Sequence, residues 1–130
     1  MAAEQNYPPS QLNLGYLYGN GKGTKKDYKE ALKWYKKAAE KGIAEAQYNV
    51  GLYYRKGWGV KKDNAQAIKW YTLAAQQGYL EAQYNLGHVY YKNDNAKAYY
   101  WWAKAAQQGD KRALNNLRIL CGQDPAVCQK

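Results

Sequence analysis

The sequence predicts an all-α fold of stacked, antiparallel helix pairs, and three observations carry that prediction. The first is a repeat. Gly15, Gly51 and Gly87 follow one another at intervals of 36 residues, within Gln11-Leu-Asn-Leu-Gly-Tyr-Leu-Tyr18, Gln47-Tyr-Asn-Val-Gly-Leu-Tyr-Tyr54 and Gln83-Tyr-Asn-Leu-Gly-His-Val-Tyr90. A period of this length is the mark of stacked supersecondary units. The second is helical periodicity: Ala67, Tyr71 and Ala74 fall at i, i+4 and i+7 and share one face. The third is punctuation. Asp27 with Glu30, and Asp63 with Gln66, read as capping boxes that start helices. Gly42, Gly78 and Gly109 stand where a left-handed C-terminal cap belongs.

Each copy therefore holds a first helix (helix A), a connection and a second helix (helix B). Helix B reads Ala31-Leu-Lys-Trp-Tyr-Lys-Lys-Ala-Ala39, Ala67-Ile-Lys-Trp-Tyr-Thr-Leu-Ala-Ala75 and Ala98-Tyr-Tyr-Trp-Trp-Ala-Lys-Ala-Ala106. The third copy arrives five residues early, because the loop bearing Gly57-Trp-Gly59 has no counterpart in it. Helices are expected near 9–19, 27–41, 44–56, 63–77, 80–92, 94–108 and 110–121. One helix pair cannot bury its apolar face alone, so the copies must stack. Gly51, Ala67 and Ala74 permit close approach, while Trp70 and Tyr71 fill the gaps.

The elements Ala-x-Ala-Gln-Tyr-Asn-Leu-Gly-x-x-Tyr, Gly-x-Gly, Asp and Ala-x-x-Trp-Tyr-x-x-Ala-Ala-x-x-Gly resemble Sel-1-like repeats, the longer-looped relatives of tetratricopeptide repeats. The resemblance runs from about Ala2 to Leu120. It implies a right-handed α-solenoid of about seven helices forming one domain over 1–130. Within it, repeats span about 8–43, 44–79 and 80–110, followed by a capping helix near 110–121 and a tail over 122–130. Copy three, lacking Gly-x-Gly, is closer in length to a plain tetratricopeptide repeat. Arg118 replaces the recurrent glycine, as expected where no further helix must approach closely. Ala2-Ala-Glu-Gln-Asn-Tyr7 aligns with Ala38-Ala-Glu-Lys-Gly-Ile43, placing Asn6 at a cap position. The chain is accordingly expected to open on the end of an earlier helix B, as a piece of a longer array; a mature secreted chain beginning here is the alternative.

Composition narrows the function classes. A chain of 130 residues with 46% apolar content suits one domain that buries about two-thirds of its unfolded surface. Its 15 Tyr, 5 Trp and no Phe place polar tips on most large side chains. No stretch approaches the roughly 18–20 apolar residues of a membrane span, and no signal peptide is evident. With one His, one Ser and two Cys, neither a Ser-His-Asp triad nor a metal cluster can be assembled, so no enzyme, metal, cofactor or small-molecule substrate is expected. His88 reads as an exposed polar residue of helix A. The Gly-x-Gly loops follow helices and lack a third Gly and a Lys, so they read as structural and not as phosphate cradles.

Cys121 and Cys128 flank a turn sequence at Asp124-Pro125. A bridge across so small a loop would contribute about 2.5 kcal/mol in the chain-entropy model. It would pin the tail and point to an extracytoplasmic compartment, periplasmic or secreted. The other reading is two unrelated thiols, with Cys121 buried at the place of Tyr90, in a cytoplasmic protein.

The formal charge is +10. Lys22, Lys25, Lys26, Arg55, Lys56, Lys61, Lys62 and Lys92 fall at helix A ends or in the A–B connections. Stacking would align them into a basic edge able to attract anionic partners: nucleic acid, an anionic membrane or envelope component, or an acidic protein. Trp58 is the one aromatic candidate for stacking with bases there. A solvated ridge, or one that steers an acidic protein, is the favoured reading.

The resemblance also implies that helix A lines an inner, concave face that binds a partner protein or peptide, as bacterial adaptors of this type do. Carried over residue by residue, the inward register runs Leu12, Tyr16, Glu45, Tyr48, Leu52, Arg55, Glu81, Tyr84, His88, Tyr91, Arg112, Asn115 and Ile119. Tyr48, Leu52, Arg55, Tyr84, His88, Tyr91, Arg112 and Asn115 are the candidate binding residues. Asn49 and Asn85 suit either a peptide backbone or repeat packing, whereas Tyr18, Tyr54 and Tyr90 are expected between helices. Tyr28, opening helix B, is expected to play no part in binding.

Overall fold

The computed structural model describes residues 8–21 and 26–128. The segment Ala2–Tyr7, and Lys22, Gly23 and Lys25 of the first connection, lie outside the described residues. Every regular element among those described is a helix. Two compact units are present, Met1–Gln77 and Gly78–Lys130. The first holds α1 (Pro8–Asn20), α2 (Tyr28–Glu40), α3 (Ala44–Lys56) and α4 (Asn64–Gln76). The second holds α5 (Leu80–Tyr90), α6 (Asn95–Gln107), α7 (Lys111–Gln123) and α8 (Pro125–Cys128). The seven expected helices begin and end within two residues of the sequence-based limits. Only the short α8 was not foreseen.

Local chemistry sets these limits. The carboxylates of Asp27, Asp63 and Asp94 accept from the backbone N–H of Glu30, Gln66 and Lys97 at 3.1, 3.1 and 3.2 Å. Each cap satisfies a donor that the first helical turn leaves unpaired, worth about 1 kcal/mol. Asp110 does the same for α7, accepting from the N–H of Arg112 at 2.9 Å. At the other end Gly42, Gly78 and Gly109 take φ of +93°, +92° and +94°, a conformation that a side chain would strain.

The recurrent helix A glycines are seats for helix B aromatics. In the first unit Tyr35 lies on Gly15 and Tyr71 on Gly51, where an added Cβ would stand 2.5 and 2.8 Å from the rings. In the second, Trp102 lies on Gly87 so closely that an added Cβ would overlap the indole. With no side chain in the way, the Trp102 indole N–H reaches the backbone carbonyl of Tyr84 at 3.1 Å. Tyr71 and Trp102 are almost wholly buried, while the neighbouring Trp70 is only half-buried.

A polar ladder recurs in both units. Gln77 donates to the Gly42 carbonyl at 2.9 Å and to Gln47 Oε1 at 2.8 Å. Gln108 donates to the Gly78 carbonyl and Gln83 Oε1 at the same two distances. The A–B connections share a closing bond as well. The N–H of the capping aspartate returns to a tyrosine carbonyl at the end of helix A: Asp27 to Tyr18 at 2.8 Å, Asp63 to Tyr54 at 3.0 Å, Asp94 to Tyr90 at 2.7 Å. The third connection makes this bond although it is five residues shorter. There Lys92 adopts a left-handed φ of +70°.

Two features differ from the sequence reading. Trp58 is not a free platform: its ring lies parallel to Tyr28 (centroids 5.0 Å apart, 8° between planes) and edge-on to Tyr53 at 5.4 Å. Tyr28 is therefore part of the packing of the first unit, because the second connection folds back onto the start of α2. The tail is also more than a turn. Cys121 and Cys128 are disulfide-bonded, with Cα atoms 5.7 Å apart. Asn95 donates to the Asp124 carboxylate at 3.1 Å, and Val127 packs on the cluster of Ala98, Trp102, Ala105, Ala113 and Leu120.

Candidate partner-binding faces

In the first unit Tyr48, Leu52 and Arg55 occupy one face of α3 at i, i+4 and i+7. Tyr48 is half-buried against Tyr71, centroids 5.4 Å apart, so the same ring that fills the Gly51 seat props it. Leu52 is half-buried and Arg55, in the last turn, is exposed. Beside them the Tyr16 hydroxyl donates to the Glu45 carboxylate and accepts from the Asn49 amide at 3.3 Å. Asn49 is thus buried and committed to packing between α1 and α3. Tyr18 and Tyr54 pack against the core of this unit, as the sequence led one to expect.

The second unit is more heavily braced. His88 is exposed, and its ring stands edge-on to Tyr84 at 4.7 Å and to Trp102 at 5.3 Å. Tyr91 caps α5, tilts against Trp102 at 5.6 Å and donates its hydroxyl proton to Gln123 Oε1. The Arg112 guanidinium lies 4.1 Å from the centre of the Tyr84 ring. It also bonds Glu81 at 2.6 Å and Asp110 at 2.8 Å. This bonding holds the Asp110 carboxyl below the ordinary carboxylate range although burial pushes it up. Reciprocally, Asp110 and then Glu81 raise the guanidinium. Asn115 is exposed on α7. Each unit therefore presents a helix A face of aromatic side chains whose positions are set by internal contacts.

The sequence reading gathered these residues by register but missed the Arg112–Glu81–Asp110 tie and the glutamine ladder. The ladder had a signal: Gln77 and Gln108 both precede a capping glycine, and Gln47 and Gln83 both open the glycine motif. The tie had none, because Glu81 and Arg112 meet only across helices. Among the described residues no helix is long and apolar enough to cross a membrane, and no group of three or more His, Cys, Asp or Glu is placed to hold a metal.

Comparison with known proteins adds three findings. The family described as Sel1 repeat matches residues 8–43, 44–79 and 80–110. The chain is similar to a protective antigen present in uropathogenic Escherichia coli strains that displays an SLR fold. The identity is 42% over 94% of this chain and 27% of that one, with a TM-score of 0.91. It is also similar to a Sel1 repeat protein from Oxalobacter formigenes, 38% identical over 92% of this chain and 51% of that one, with a TM-score of 0.86. The chain thus spans about a quarter and about half the length of these two structures. No curated protein matches it significantly.

Proposed function

The chain belongs to the Sel1 repeat family, whose members are generally protein–protein interaction scaffolds, and from that premise we propose that it binds a partner protein or peptide through its helix A faces. The observation that carries the proposal is the braced aromatic surface, Tyr48 in one unit and Tyr84, His88 and Tyr91 beside Arg112 in the other, flanked by Leu52, Arg55 and Asn115. Stiff aromatic side chains lose little entropy on binding and gain much contact area. Arg55 adds a planar fork for a carboxylate or a backbone oxygen. Arg112, held by Glu81 and Asp110, acts as a fixed wall beside Tyr84. The Cys121–Cys128 bond, and likeness to a protein described as a protective antigen, support an extracytoplasmic setting.

The test begins with affinity capture of a partner from the source cells and continues with binding measurements on variants. Tyr84→Ala and Arg55→Ala should each weaken binding by about 1–2 kcal/mol, as central anchors do, while Lys104→Ala on the outside of α6 should not. Circular dichroism must show the variants folded. Folded variants that bind like the parent would remove the helix A faces from consideration.

A further inference from the structure

The Tyr28–Trp58 stack has a consequence for charge. It fastens the second connection to the first turn of α2, and Gly59 sits so tightly there that an added Cβ would lie 2.6 Å from the backbone of Tyr28 and Lys29. The described ends of both connections meet at equivalent places. Lys26 packs against Gly21 and Lys62 against Gly57, each glycine left-handed. Exposed cations from two successive copies are thereby brought to one aromatic pair inside the first unit, Lys26 and Lys29 on either side of Tyr28 in the chain and Lys56, Lys61 and Lys62 on either side of Trp58. Opposing them are Asp27 and Asp63, each with one carboxylate oxygen already accepting a helix N–H, and Glu30, which pairs with Lys33 at 3.6 Å.

We infer that this rim is a second docking surface, for an acidic polypeptide segment rich in Asp and Glu. Two observations select that class over other polyanions. Single-stranded nucleic acid wants an open aromatic face. Here the Trp58 face is stacked on Tyr28, and the Lys26 ammonium lies 4.9 Å from the Tyr28 ring centre. A membrane surface wants projecting apolar side chains beside the cations. The exposed large apolar side chains of the first unit, Leu17 and Leu73, belong to α1 and α4 and not to the second connection or the first turn of α2. A carboxylate-bearing chain needs neither, only closely spaced ammonium groups whose field reaches about 8 Å at physiological salt. The surface is distinct from the helix A faces proposed above and does not depend on them.

The experiment uses a fluorescent deca-glutamate peptide as probe, in about 0.15 M salt, where scattered lysines are largely screened. Replacing Lys29, Lys56, Lys61 and Lys62 together by Gln should weaken binding at least tenfold. The charge-matched set Lys69, Lys97, Lys104 and Lys111→Gln should change it less than twofold. Trp58→Ala, which alters no charge, should weaken binding several-fold by releasing the connection. Both lysine sets are exposed and should melt like the parent. Equal losses from the two sets would reduce the effect to net charge and overturn the proposal. Tighter binding of a single-stranded oligonucleotide, or of phosphatidylglycerol vesicles, than of the peptide would overturn it in favour of those partners. Loss of deca-glutamate binding by Tyr84→Ala would merge this surface with the helix A reading, whereas failure of the rim variants alone leaves that reading standing.

Discussion

The two units solve the same packing problem with different chemistry. In Met1–Gln77 the core is tyrosine on glycine, and the seal is a long connection whose Trp58 lies over Tyr28 and beside Tyr53. In Gly78–Lys130 the connection is five residues shorter and carries no tryptophan. The seal is instead a larger ring, Trp102, together with an Arg112 ion-pair tie and a disulfide that holds α8 against α6 and α7. What stays constant is small: the glycine seat, the glutamine ladder, and the bond from the capping aspartate to a tyrosine carbonyl. The repeat therefore specifies a helix pair, and each unit closes it with whatever residues its loops supply.

The sharpest test of the contrast is at the glycine seats. Gly87→Ala should destabilise by about 3 kcal/mol, the upper end for overpacking, because the new methyl overlaps the Trp102 indole. Gly51→Ala should cost less, about 1–2 kcal/mol, since the contact with Tyr71 is looser. Urea titrations followed by circular dichroism measure both, and equal losses would erase the distinction. Next in size is the disulfide. Its removal by the paired Cys121→Ser and Cys128→Ser changes should cost about 2.5 kcal/mol. Hydrogen exchange should localise the loosening to α7 and α8; loosening spread evenly over α1 to α4 would contradict a local seal.

pH should separate the units. Burial, then the neighbouring Tyr28, pushes the Tyr53 hydroxyl up to about 12, and burial likewise raises Tyr35. The folded state thus favours the neutral phenols. Their contribution is fully present below the unfolded value of about 10 and is lost as pH rises through about 12. Asp110 runs the other way. Its lowered value contributes stability above the unfolded carboxylate range that is lost as pH falls through the folded value. Tyrosine absorbance should accordingly show a late phase of ionisation near pH 12 that Tyr53→Phe diminishes, and Asp110→Asn should flatten the acid limb while leaving the alkaline limb unmoved. The smallest expected effect is a gain. Lys92→Gly relieves a left-handed non-glycine residue and should stabilise by about 0.5–1 kcal/mol, offset in part by losing the lysine contact with the Tyr91 ring at 5.5 Å. No change in the urea midpoint would mean that this contact balances the strain.

By itself the sequence determined the features that depend on neighbours in the chain. Helix limits followed from Asp27, Asp63 and Asp94 at starts and from Gly42, Gly78 and Gly109 at ends, since caps act over three or four residues. The glycine seats were legible too, because their 36-residue recurrence exposes a constraint that one copy would hide. The binding register was legible only as a set of positions; what braces each side chain was not. Tyr28 and Trp58 stand 30 residues apart, and Glu81 and Arg112 stand 31 apart. Whether such pairs meet depends on how a loop folds back or how far one helix is offset along another. Those outcomes are fixed by packing of the whole unit against the entropy of closing its loops, and no local pattern records them. The four-residue α8 is too short to show a period, and its place against α6 depends on the Cys121–Cys128 bond and on the packing of the half-buried Val127 against the core.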